Sequence, residues 1–350
     1  MKIEEIDANF AAKSVSDADD VVWYDLRKPP FDIYGLYDVQ NTAGFTRFPK
    51  YVGDGCNDGV KELRWHTAGG RARFKTDSPY IAIKVFWFGM TKMSHMAFTG
   101  SSGFDLICRC DGKTTYVGAL HPQINGYDEG FDWKCDTVGK LADYELSFPL
   151  YNTVKTVYVG IKRGCTLLEG EKYKIQKPFV YYGSSITQGG CASKPSGSYQ
   201  SLISKRFDAD FINLGFSGSA LGEEAMARYI AGLDMSVFIM DYDHNAPSSE
   251  HLAATHLPFY KTVREKQPDT PMAIVSRPTP IIEKNREIVK ATYDYAVAAG
   301  DKNVVFVDGD TLFEGDYKYL CTVDNCHPTD LGFYRMAKVI GDAIEKVFKG

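Results

Sequence analysis

Residues 178–190 read Pro-Phe-Val-Tyr-Tyr-Gly-Ser-Ser-Ile-Thr-Gln-Gly-Gly, an apolar run that ends in a stretch rich in glycine and hydroxyl side chains. A short run of aromatic and β-branched residues that is bounded by glycine predicts a buried strand, here residues 178–182. In open α/β sheets, ligands bind in the crevice outside the carboxyl ends of the strands. The turn at residues 183–190 is therefore the first place to look for chemistry.

The sequence that follows this strand alternates between strand and helix patterns. Further strands are predicted at residues 211–214, 237–240, 272–275 and 304–307, and helices at 198–207, 223–233, 248–267, 281–299 and 330–348. Strands that alternate with helices predict a parallel sheet covered by helices on both faces. The second half of the chain is therefore expected to be an α/β domain.

The first half of the chain has a different pattern. Strands are predicted at residues 80–88, 103–110, 114–117, 144–150 and 155–161, with a hairpin turn at Asp111-Gly112. Short strands with few helical stretches predict a β-sandwich, here of the jelly-roll-like kind. The charged residues 164–177 are expected to link the two halves. The predicted domains are thus a sandwich at residues 1–172 and an α/β domain at residues 173–350.

Composition excludes several classes of function. The chain has 350 residues, of which 44% are hydrophobic and 24% charged, and its formal net charge is −5. A mildly acidic chain without a basic tract predicts neither nucleic-acid nor anionic-membrane partners. No apolar run approaches the about 18 residues of a membrane span, and residues 1–20 show no signal-peptide pattern. The eight cysteines form no paired CxxC set, so reduced thiols in a cytoplasmic protein are expected.

Four turns at predicted strand or helix ends carry the groups that acyl transfer requires. They are residues 183–190, 213–219, 241–245 and 324–328, and they supply hydroxyl groups, flexible backbone N–H donors, an amide and an Asp–His pair. A serine hydroxyl becomes a good nucleophile when a base removes its proton. A histidine three residues after an aspartate could be that base, with its tautomer fixed by the carboxylate.

These four segments, in this order, resemble the SGNH (GDSL) hydrolase family over roughly residues 178–348. The segment Gly183-Ser-Ser-Ile-Thr187 is similar to the family's Gly-Asp-Ser-Leu block, and Asn213-Leu-Gly-Phe-Ser-Gly218 is similar to its second block. Asp243-His-Asn245 aligns with the Gly-x-Asn block, and Asp324-Asn-Cys-His-Pro328 with the last block. The resemblance implies a flavodoxin-like, three-layer α/β/α hydrolase domain. The Gly-x-Ser-x-Gly elbow of the α/β-hydrolase fold is absent.

The resemblance also implies a role for individual residues. Ser185 stands at the nucleophile position, and Asp324 and His327 complete the catalytic triad. The backbone N–H groups of Ser185 and Gly218 and the side chain of Asn245 are the implied oxyanion donors. Such donors stabilise the negative charge that the carbonyl oxygen gains in the transition state.

Two residues depart from the family pattern. Ser184 stands where the family usually has Asp, and a change in the support of the turn is expected, with activity retained. Asp243 replaces the usual Gly of the third block. Its carboxylate either lies near the oxyanion donors or points away from them.

Each assignment has a simpler alternative. Ser185 could be a turn serine that caps the segment after it. Asp324 and His327 could be a capping pair before the last helix. Asn245 could only bond the backbone of its loop, and Gly218 could serve only its backbone conformation.

The resemblance extends to some carbohydrate esterases with a similar two-domain layout. It implies an esterase that removes acetyl groups from saccharides through an acyl-Ser185 intermediate, with no cofactor and no metal. The alternatives are a hydrolase of lipid or small aryl esters and a catalytically silent carbohydrate-binding protein. The expected partner is a small-molecule or oligosaccharide ester, and the oligomeric state is not predicted.

Three further residues are candidates for contact with the substrate. His244 adjoins Asn245, and Arg277 follows a predicted strand at the same sheet edge. His95 lies in residues 93–103, a segment too long for a hairpin that mixes apolar and polar side chains. This segment is expected either to cover the catalytic face or to close one end of the sandwich.

Overall fold

A computed structural model describes residues 20–123 and 129–348. The strands of these residues are β1 (Val21–Asp25), β2 (Asp32–Tyr34), β3 (Arg71–Thr76), β4 (Tyr80–Phe86), β5 (Phe104–Cys110), β6 (Lys113–Leu120), β7 (Gly130–Asp136), β8 (Ala142–Ser147), β9 (Thr156–Lys162), β10 (Leu167–Glu169), β11 (Ile175–Gly183), β12 (Ala209–Gly215), β13 (Val237–Asp241), β14 (Met272–Val275) and β15 (Val304–Val307).

The α-helices of the described residues are α1 (Lys50–Asp54), α2 (Asp58–Leu63), α3 (Phe98–Ser101), α4 (Ser185–Gln188), α5 (Tyr199–Phe207), α6 (Glu224–Ala231), α7 (Ser249–Lys266), α8 (Glu283–Ala298) and α9 (Asp330–Val347). Short 3₁₀ turns lie at Pro195–Gly197, Asp243–Asn245, Gly309–Thr311 and Lys318–Leu320. No described helix is both long enough and apolar enough to cross a bilayer.

The N-terminal half is a sandwich of two antiparallel sheets, as predicted. One sheet has the order β1-β9-β4-β7, and the other has the order β10-β3-β8-β5-β6, with β2 also paired to β3. Alternate side chains of both sheets fill the space between them, among them Phe74, Ile83, Leu106 and Val159, which are fully buried. This alternation places one face of each sheet in the core.

The C-terminal half is a parallel sheet with the order β12-β11-β13-β14-β15 and helices packed against it. This is the flavodoxin-like order, so the predicted fold class is confirmed. Every predicted strand and helix of this half is present, and β14 and β15 have the predicted bounds. The chain leaves β11 for β12 on one side and later returns to β13 on the other. The ligand crevice of such sheets lies at this switch point.

The sequence patterns missed five strands of the sandwich, β1, β2, β3, β7 and β10. In β3, Ala72 and Phe74 face the sandwich core, and Arg71 and Arg73 on the opposite face are buried as well. Arg73 forms an ion pair with buried Glu145 at 2.7 Å, and Arg71 forms one with Asp210. Buried charges persist where such pairing satisfies them, and a local pattern does not show the partner.

The segment predicted as a linker contributes to both halves. Leu167–Glu169 pairs with β3 as an edge strand of the sandwich, and β11 already begins at Ile175. The boundary drawn between residues 172 and 173 falls between these two strands and stays a prediction.

The two halves share packed side chains beneath the carboxyl ends of the parallel strands. Tyr151 of the sandwich packs with Ile186 in one cluster. Phe48 packs edge-on against Phe216 in another, with their ring centroids 5.5 Å apart. The catalytic face of the parallel sheet is therefore built partly from N-terminal residues.

Candidate active site

The side chains of Ser185, His327 and Asp324 form one hydrogen-bonded line at the carboxyl end of the parallel sheet. Ser185 begins α4, and its Oγ lies 2.9 Å from Nε2 of His327. The other ring nitrogen of His327, Nδ1, lies 2.8 Å from Oδ2 of Asp324. A carboxylate only accepts hydrogen bonds, so Nδ1 carries the proton and Nε2 offers its lone pair to the serine hydroxyl. A nucleophile, its base and the carboxylate that orients the base have this arrangement.

Hydrogen bonds within the loop fix the carboxylate of Asp324. Its Oδ1 accepts from the backbone N–H of His327 at 2.7 Å and from that of Cys326 at 3.1 Å. Partial burial raises the pKa of Asp324, but its hydrogen bonds with His327 outweigh burial and hold the pKa below its usual value. The cap of α9 is Thr329, whose hydroxyl accepts from Gly332. Thr329 therefore caps α9, and the capping role considered for Asp324 and His327 is not theirs.

The turn before α4 divides two tasks between adjacent serines. Ser184 Oγ accepts from the Ile186 N–H at 3.2 Å and caps the helix, a common role for serine. The Ser185 hydroxyl is left for His327. Ser184, which replaces the family's Asp, therefore supports the turn. The helix cap considered for Ser185 is made by Ser184 instead.

The predicted oxyanion donors after β12 and β13 lie side by side. Gly218 has a φ of +65°, in the left-handed region that favours glycine, and no described atom lies within 4 Å of its open side. The side-chain amide of Asn245 lies 3.1 Å from Gly218 N and 3.3 Å from the Phe216 oxygen. When the amide oxygen faces Gly218, it accepts from that N–H, and the amide nitrogen donates to Phe216.

The carboxylate of Asp243 is directed toward the turn after β14. It is fully buried, and its Oδ2 accepts from the Arg277 N–H at 3.2 Å, while Oδ1 has no partner among the described residues. Burial raises the pKa of Asp243 to about 6. Nearby, Asp241 accepts from the hydroxyl groups of Thr187 and Tyr199, each at 3.1 Å. Burial, with the charge of Asp243, raises the pKa of Asp241 to about 8.

Residues of the sandwich hold the turn that carries the predicted nucleophile. The hydroxyl of Tyr151 donates to the backbone oxygen of Ser185 at 2.9 Å. Gln188 donates through Nε2 to Nδ1 of His66 at 3.1 Å and accepts from the Ser217 N–H at 3.0 Å. Burial lowers the pKa of His66 to about 3, so its ring is neutral and can accept this bond. One chain of contacts thus joins the sandwich, the serine turn and the loop after β12.

A buried cation from the sandwich holds the end of β12. Nη1 of Arg47 donates to the backbone oxygens of Asn213 at 3.1 Å and Gly215 at 2.6 Å, and the guanidinium lies 4.6 Å from the centre of the Phe216 ring. Arg47 forms no ion pair within the described ranges 20–123 and 129–348, and burial lowers its pKa to about 9. Neither Arg47 nor the other sandwich residues at the site lie in a recognisable motif, and no sequence signal marks them.

The segment at residues 93–103 lies on the catalytic face. Thr99 Oγ1 donates to the Ser193 oxygen at 2.5 Å, and a Cβ on Gly100 would lie 2.0 Å from the Ala192 oxygen, so only glycine fits there. The ring of His95, which is exposed, lies 5.8 Å from the ring of His327 between centroids. The structure thus favours the covering role considered for this segment.

The other two candidate substrate contacts lie close to the triad loop. Nε2 of His244 lies 3.1 Å from the Thr279 oxygen, and its ring lies 3.9 Å from Cys326 Sγ. Burial, with the nearby charge of Arg277, lowers the pKa of His244 to about 3. The Arg277 guanidinium has no ion pair in the part of the chain that the structure describes, and its Nε is buried without a partner. Both residues can face a substrate, and their roles stay predictions.

Family comparisons agree with this architecture. Residues 176–345 match the model of the GDSL-like lipase/acylhydrolase family. Residues 21–167 match the GxDLY model, which describes the N-terminus of SGNH-hydrolase-type esterases. The chain belongs to the SGNH (GDSL) hydrolase family. This assignment makes the protein an SGNH hydrolase with an N-terminal sandwich, as the sequence predicts. The catalytic roles of individual residues remain predictions that the geometry supports.

Solved structures share the whole two-part fold of this SGNH hydrolase. A GDSL-like lipase from Bacteroides ovatus is 27% identical with a TM-score of 0.84, over 94% of this chain and 98% of that chain. The salicylyl-acyltransferase SsfX3 of a tetracycline biosynthetic pathway is 19% identical with a TM-score of 0.76, over 93% and 99%. A family two carbohydrate esterase from Clostridium thermocellum, in complex with cellohexaose, is 13% identical with a TM-score of 0.61, over 90% and 98%. The search of curated proteins found no match.

Proposed function

We propose that this SGNH hydrolase is a serine esterase that removes acetyl groups from saccharides. The observation that carries the esterase part is the line from Ser185 Oγ through His327 to Asp324, with bonds of 2.9 Å and 2.8 Å. Both distances are within normal hydrogen-bond range, so the base is in place before substrate arrives.

The proposed reaction has two steps. In the first, Ser185 Oγ attacks the acyl carbon while its proton passes to His327 Nε2, and the alcohol leaves with that proton as the tetrahedral intermediate collapses. In the second, His327 takes a proton from water as the water attacks the acyl-Ser185 ester. The acyl–oxygen bond then breaks, the acid is released, and His327 returns the proton to Ser185 Oγ. Asp324 stabilises the imidazolium in both steps and itself stays ionised.

The oxyanion is proposed to bind between Ser185 N–H, Gly218 N–H and the Asn245 amide nitrogen. In the resting pairing, the Asn245 oxygen accepts from Gly218. A half-turn of the amide places its nitrogen beside the Gly218 N–H. Two adjacent donors repel each other unless an acceptor lies between them, so a negative oxygen favours this second orientation.

Exposed aromatic rings shortly before the triad loop in the chain support a saccharide substrate. Tyr317 and Tyr319 are 64% and 76% exposed, and Val323, next to Asp324, is 50% exposed. The Val323 N–H donates to the His327 oxygen at 2.9 Å, which joins Val323 to the triad loop. Flat aromatic faces suit the apolar faces of sugar rings, and the carbohydrate esterase with a similar fold was solved with cellohexaose bound.

The alternative is hydrolysis of lipid or small aryl esters, which the likeness to the Bacteroides ovatus GDSL-like lipase favours. A catalytically silent sugar-binding protein is disfavoured by the aligned triad. Action in the cytoplasm, on a small-molecule or oligosaccharide ester, without nucleic-acid or membrane partners, is proposed from the sequence.

A panel of esters tests the substrate proposal. For an acetyl esterase, kcat/KM should fall steeply from acetyl to butyryl to octanoyl chromogenic esters, because a pocket built for one methyl group overpacks with longer chains. Tyr319→Ala should raise KM for acetylated oligosaccharides by about 10-fold, given the about 1–1.5 kcal/mol of one aromatic contact, and should leave small chromogenic esters unaffected. Exposed Tyr295 provides a matched control as Tyr295→Ala. Rates that rise with chain length would favour the lipid alternative.

A further inference from the structure

Three potential metal ligands meet in front of the predicted nucleophile. A ring nitrogen of His95, Sγ of Cys191 and a ring nitrogen of His327 all lie within 4.8 Å of one another. They come from three separate parts of the chain: the covering segment, the serine turn and the triad loop. Cys191 is a free thiol, and its Sγ donates to the His95 backbone oxygen at 3.5 Å.

The backbone directs Cys191 into this cluster at a cost. Cys191 has a φ of +72°, a left-handed conformation that is rare for residues other than glycine. Its side chain is nevertheless buried, with 8% exposure. Unfavourable backbone conformations of this kind concentrate at ligand-binding and catalytic sites.

His327 already makes the carboxylate contact that metal-binding histidines usually make through their other ring nitrogen. Its Nδ1–H donates to Asp324, which leaves the Nε2 lone pair directed away from the carboxylate. Zinc-binding histidines typically donate their other ring N–H to a carboxylate in the same way. The His327–Asp324 pair that would activate Ser185 therefore also has the arrangement needed to bind a cation through Nε2.

The distances require only a small adjustment. Zinc binds histidine nitrogen at about 2.0–2.1 Å and thiolate sulfur at about 2.3 Å, so tetrahedral ligand atoms lie about 3.3–3.6 Å apart. Atoms now within 4.8 Å must approach by at most about 1.5 Å to reach these separations. His95 is exposed, so rotation of its side chain can supply most of this movement.

We propose that His95, Cys191 and His327 form an inhibitory site for a soft divalent cation, with Zn²⁺ as the best fit. Imidazole and thiolate are the ligands that zinc prefers, and hard cations such as Mg²⁺ prefer oxygen. On binding, the Cys191 thiol loses its proton to solvent as the Zn–S bond forms. The cation takes the Nε2 lone pair of His327, so the hydrogen bond from Ser185 is lost. Water or Ser185 Oγ completes the fourth position.

A second group of three, Asp324, Cys326 and His327, lies on a single loop. Asp324 there already accepts from the His327 ring and from two backbone N–H groups. A cation in that group would compete with all three bonds. The cluster with Cys191 is therefore the proposed site, and Cys326 provides a matched control.

Cation binding can be measured without any esterase activity. Co²⁺, which replaces Zn²⁺ in tetrahedral sites, should give a thiolate charge-transfer absorption on titration into the full chain and into Ser185→Ala. Cys191→Ser should abolish this absorption, and Cys326→Ser should retain it. Loss of an outer-sphere partner lowers metal affinity about 10- to 100-fold, so loss of a ligand in Cys191→Ser or His95→Ala should weaken Zn²⁺ binding at least about 100-fold in calorimetry.

Inhibition is the second arm, and it rests on the proposed function. Zn²⁺ should inhibit hydrolysis of a chromogenic acetyl ester, a chelator should restore the rate, and Mg²⁺ should have no effect. In Cys191→Ser and His95→Ala, the half-inhibiting Zn²⁺ concentration should rise at least about 100-fold relative to each variant's own uninhibited rate. Equal absorption in Cys191→Ser and wild type, or its loss in Cys326→Ser alone, would overturn the proposal even if the esterase is active. An inactive enzyme with normal Co²⁺ spectra would instead contradict the proposed function.

Discussion

At the scale of single residues, the hydrogen-bond line from Ser185 to Asp324 contains residues that react and a residue that positions them. Ser185 and His327 exchange a proton in the proposed reaction, whereas Asp324 acts through the orientation of the ring. Ser184, one position earlier, only caps α4. Removal of the Ser185 hydroxyl should therefore affect activity far more than removal of the Ser184 hydroxyl.

Substitution of the triad should affect turnover in a graded way. Ser185→Ala or His327→Ala should lower kcat by about 10⁵- to 10⁶-fold, and Asp324→Ala by about 10⁴-fold, with KM little changed. Steady-state kinetics on a chromogenic acetyl ester measures this. Ser184→Ala is the control: it should cost about 1 kcal/mol of stability as a lost cap while kcat stays within about 10-fold of wild type. Wild-type turnover in Ser185→Ala would remove the central assignment.

Asn245 is expected to act in the transition state. Asn245→Ala should lower kcat by about 10²- to 10³-fold, equivalent to about 3–4 kcal/mol, because an oxyanion donor binds the intermediate more strongly than the substrate. The ratio of kcat to KM effects decides the matter. A change confined to KM would show that Asn245 binds the substrate and leaves the oxyanion to the backbone donors.

At the scale of elements, the short α4 depends on its neighbours for position. A helix of four residues has little stability of its own. It is held by the Tyr151 hydroxyl on the Ser185 oxygen, by the Asn213 side chain on the Thr187 oxygen at 2.7 Å, and by Gln188 against His66. The position of the nucleophile is therefore set by the sandwich and by β12 as much as by its own turn.

Removal of the Tyr151 hydroxyl tests this dependence. Tyr151→Phe keeps the ring in place but loses a hydrogen bond worth about 1 kcal/mol, and kcat should fall about 5- to 10-fold with KM unchanged. Steady-state kinetics and urea unfolding measure the two effects. Tyr144→Phe is a matched control, since Tyr144 is also fully buried but its hydroxyl has no partner among the described residues. Equal kcat values for the two variants would contradict a positioning role for Tyr151.

At the scale of the whole molecule, the active site lies where the sandwich packs against the parallel-sheet half, and it carries buried charge. Arg47 from the sandwich, together with Asp241 and Asp243 from the parallel sheet, is fully or almost fully buried. Burying ionisable groups is costly unless they are paired or neutral. For Asp241 and Asp243, the raised pKa values mean that the folded protein holds protons that the unfolded chain releases.

Stability should accordingly depend on pH through Asp241. Because its folded pKa, about 8, lies above the reference value, its contribution is fully present below about pH 4 and is lost as the pH rises through about 8. The unfolding free energy of wild type minus that of Asp241→Asn, measured with urea, should therefore decrease from pH 6 to pH 9. Exposed Asp269→Asn should show no such trend. A difference that is constant across this range would mean that Asp241 is ionised throughout.

The sequence by itself determined the parallel sheet and the order of the catalytic segments. Each strand of that sheet is a short apolar run between helices, and the residues at the strand ends are local features. Parallel strands buried on both faces carry the clearest pattern, which is why β14 and β15 were predicted with their observed bounds. Ser185, Gly218 and Asn245 could be named because they follow such strands, and Asp324 and His327 because they precede the last helix. Their roles were implied by the resemblance to the SGNH family.

Only the tertiary structure decided what surrounds those residues. The contacts of Arg47 with Gly215, Tyr151 with Ser185, and His95 with His327 join positions more than 30 residues apart. The burial of Asp243 against the Arg277 backbone and the pairing of Arg71 in β3 depend on partners from other elements. Local sequence fixes backbone preferences and the alternation of faces. The packing of one element on another decides which distant side chains meet, and hence which charges are buried and which ligands converge.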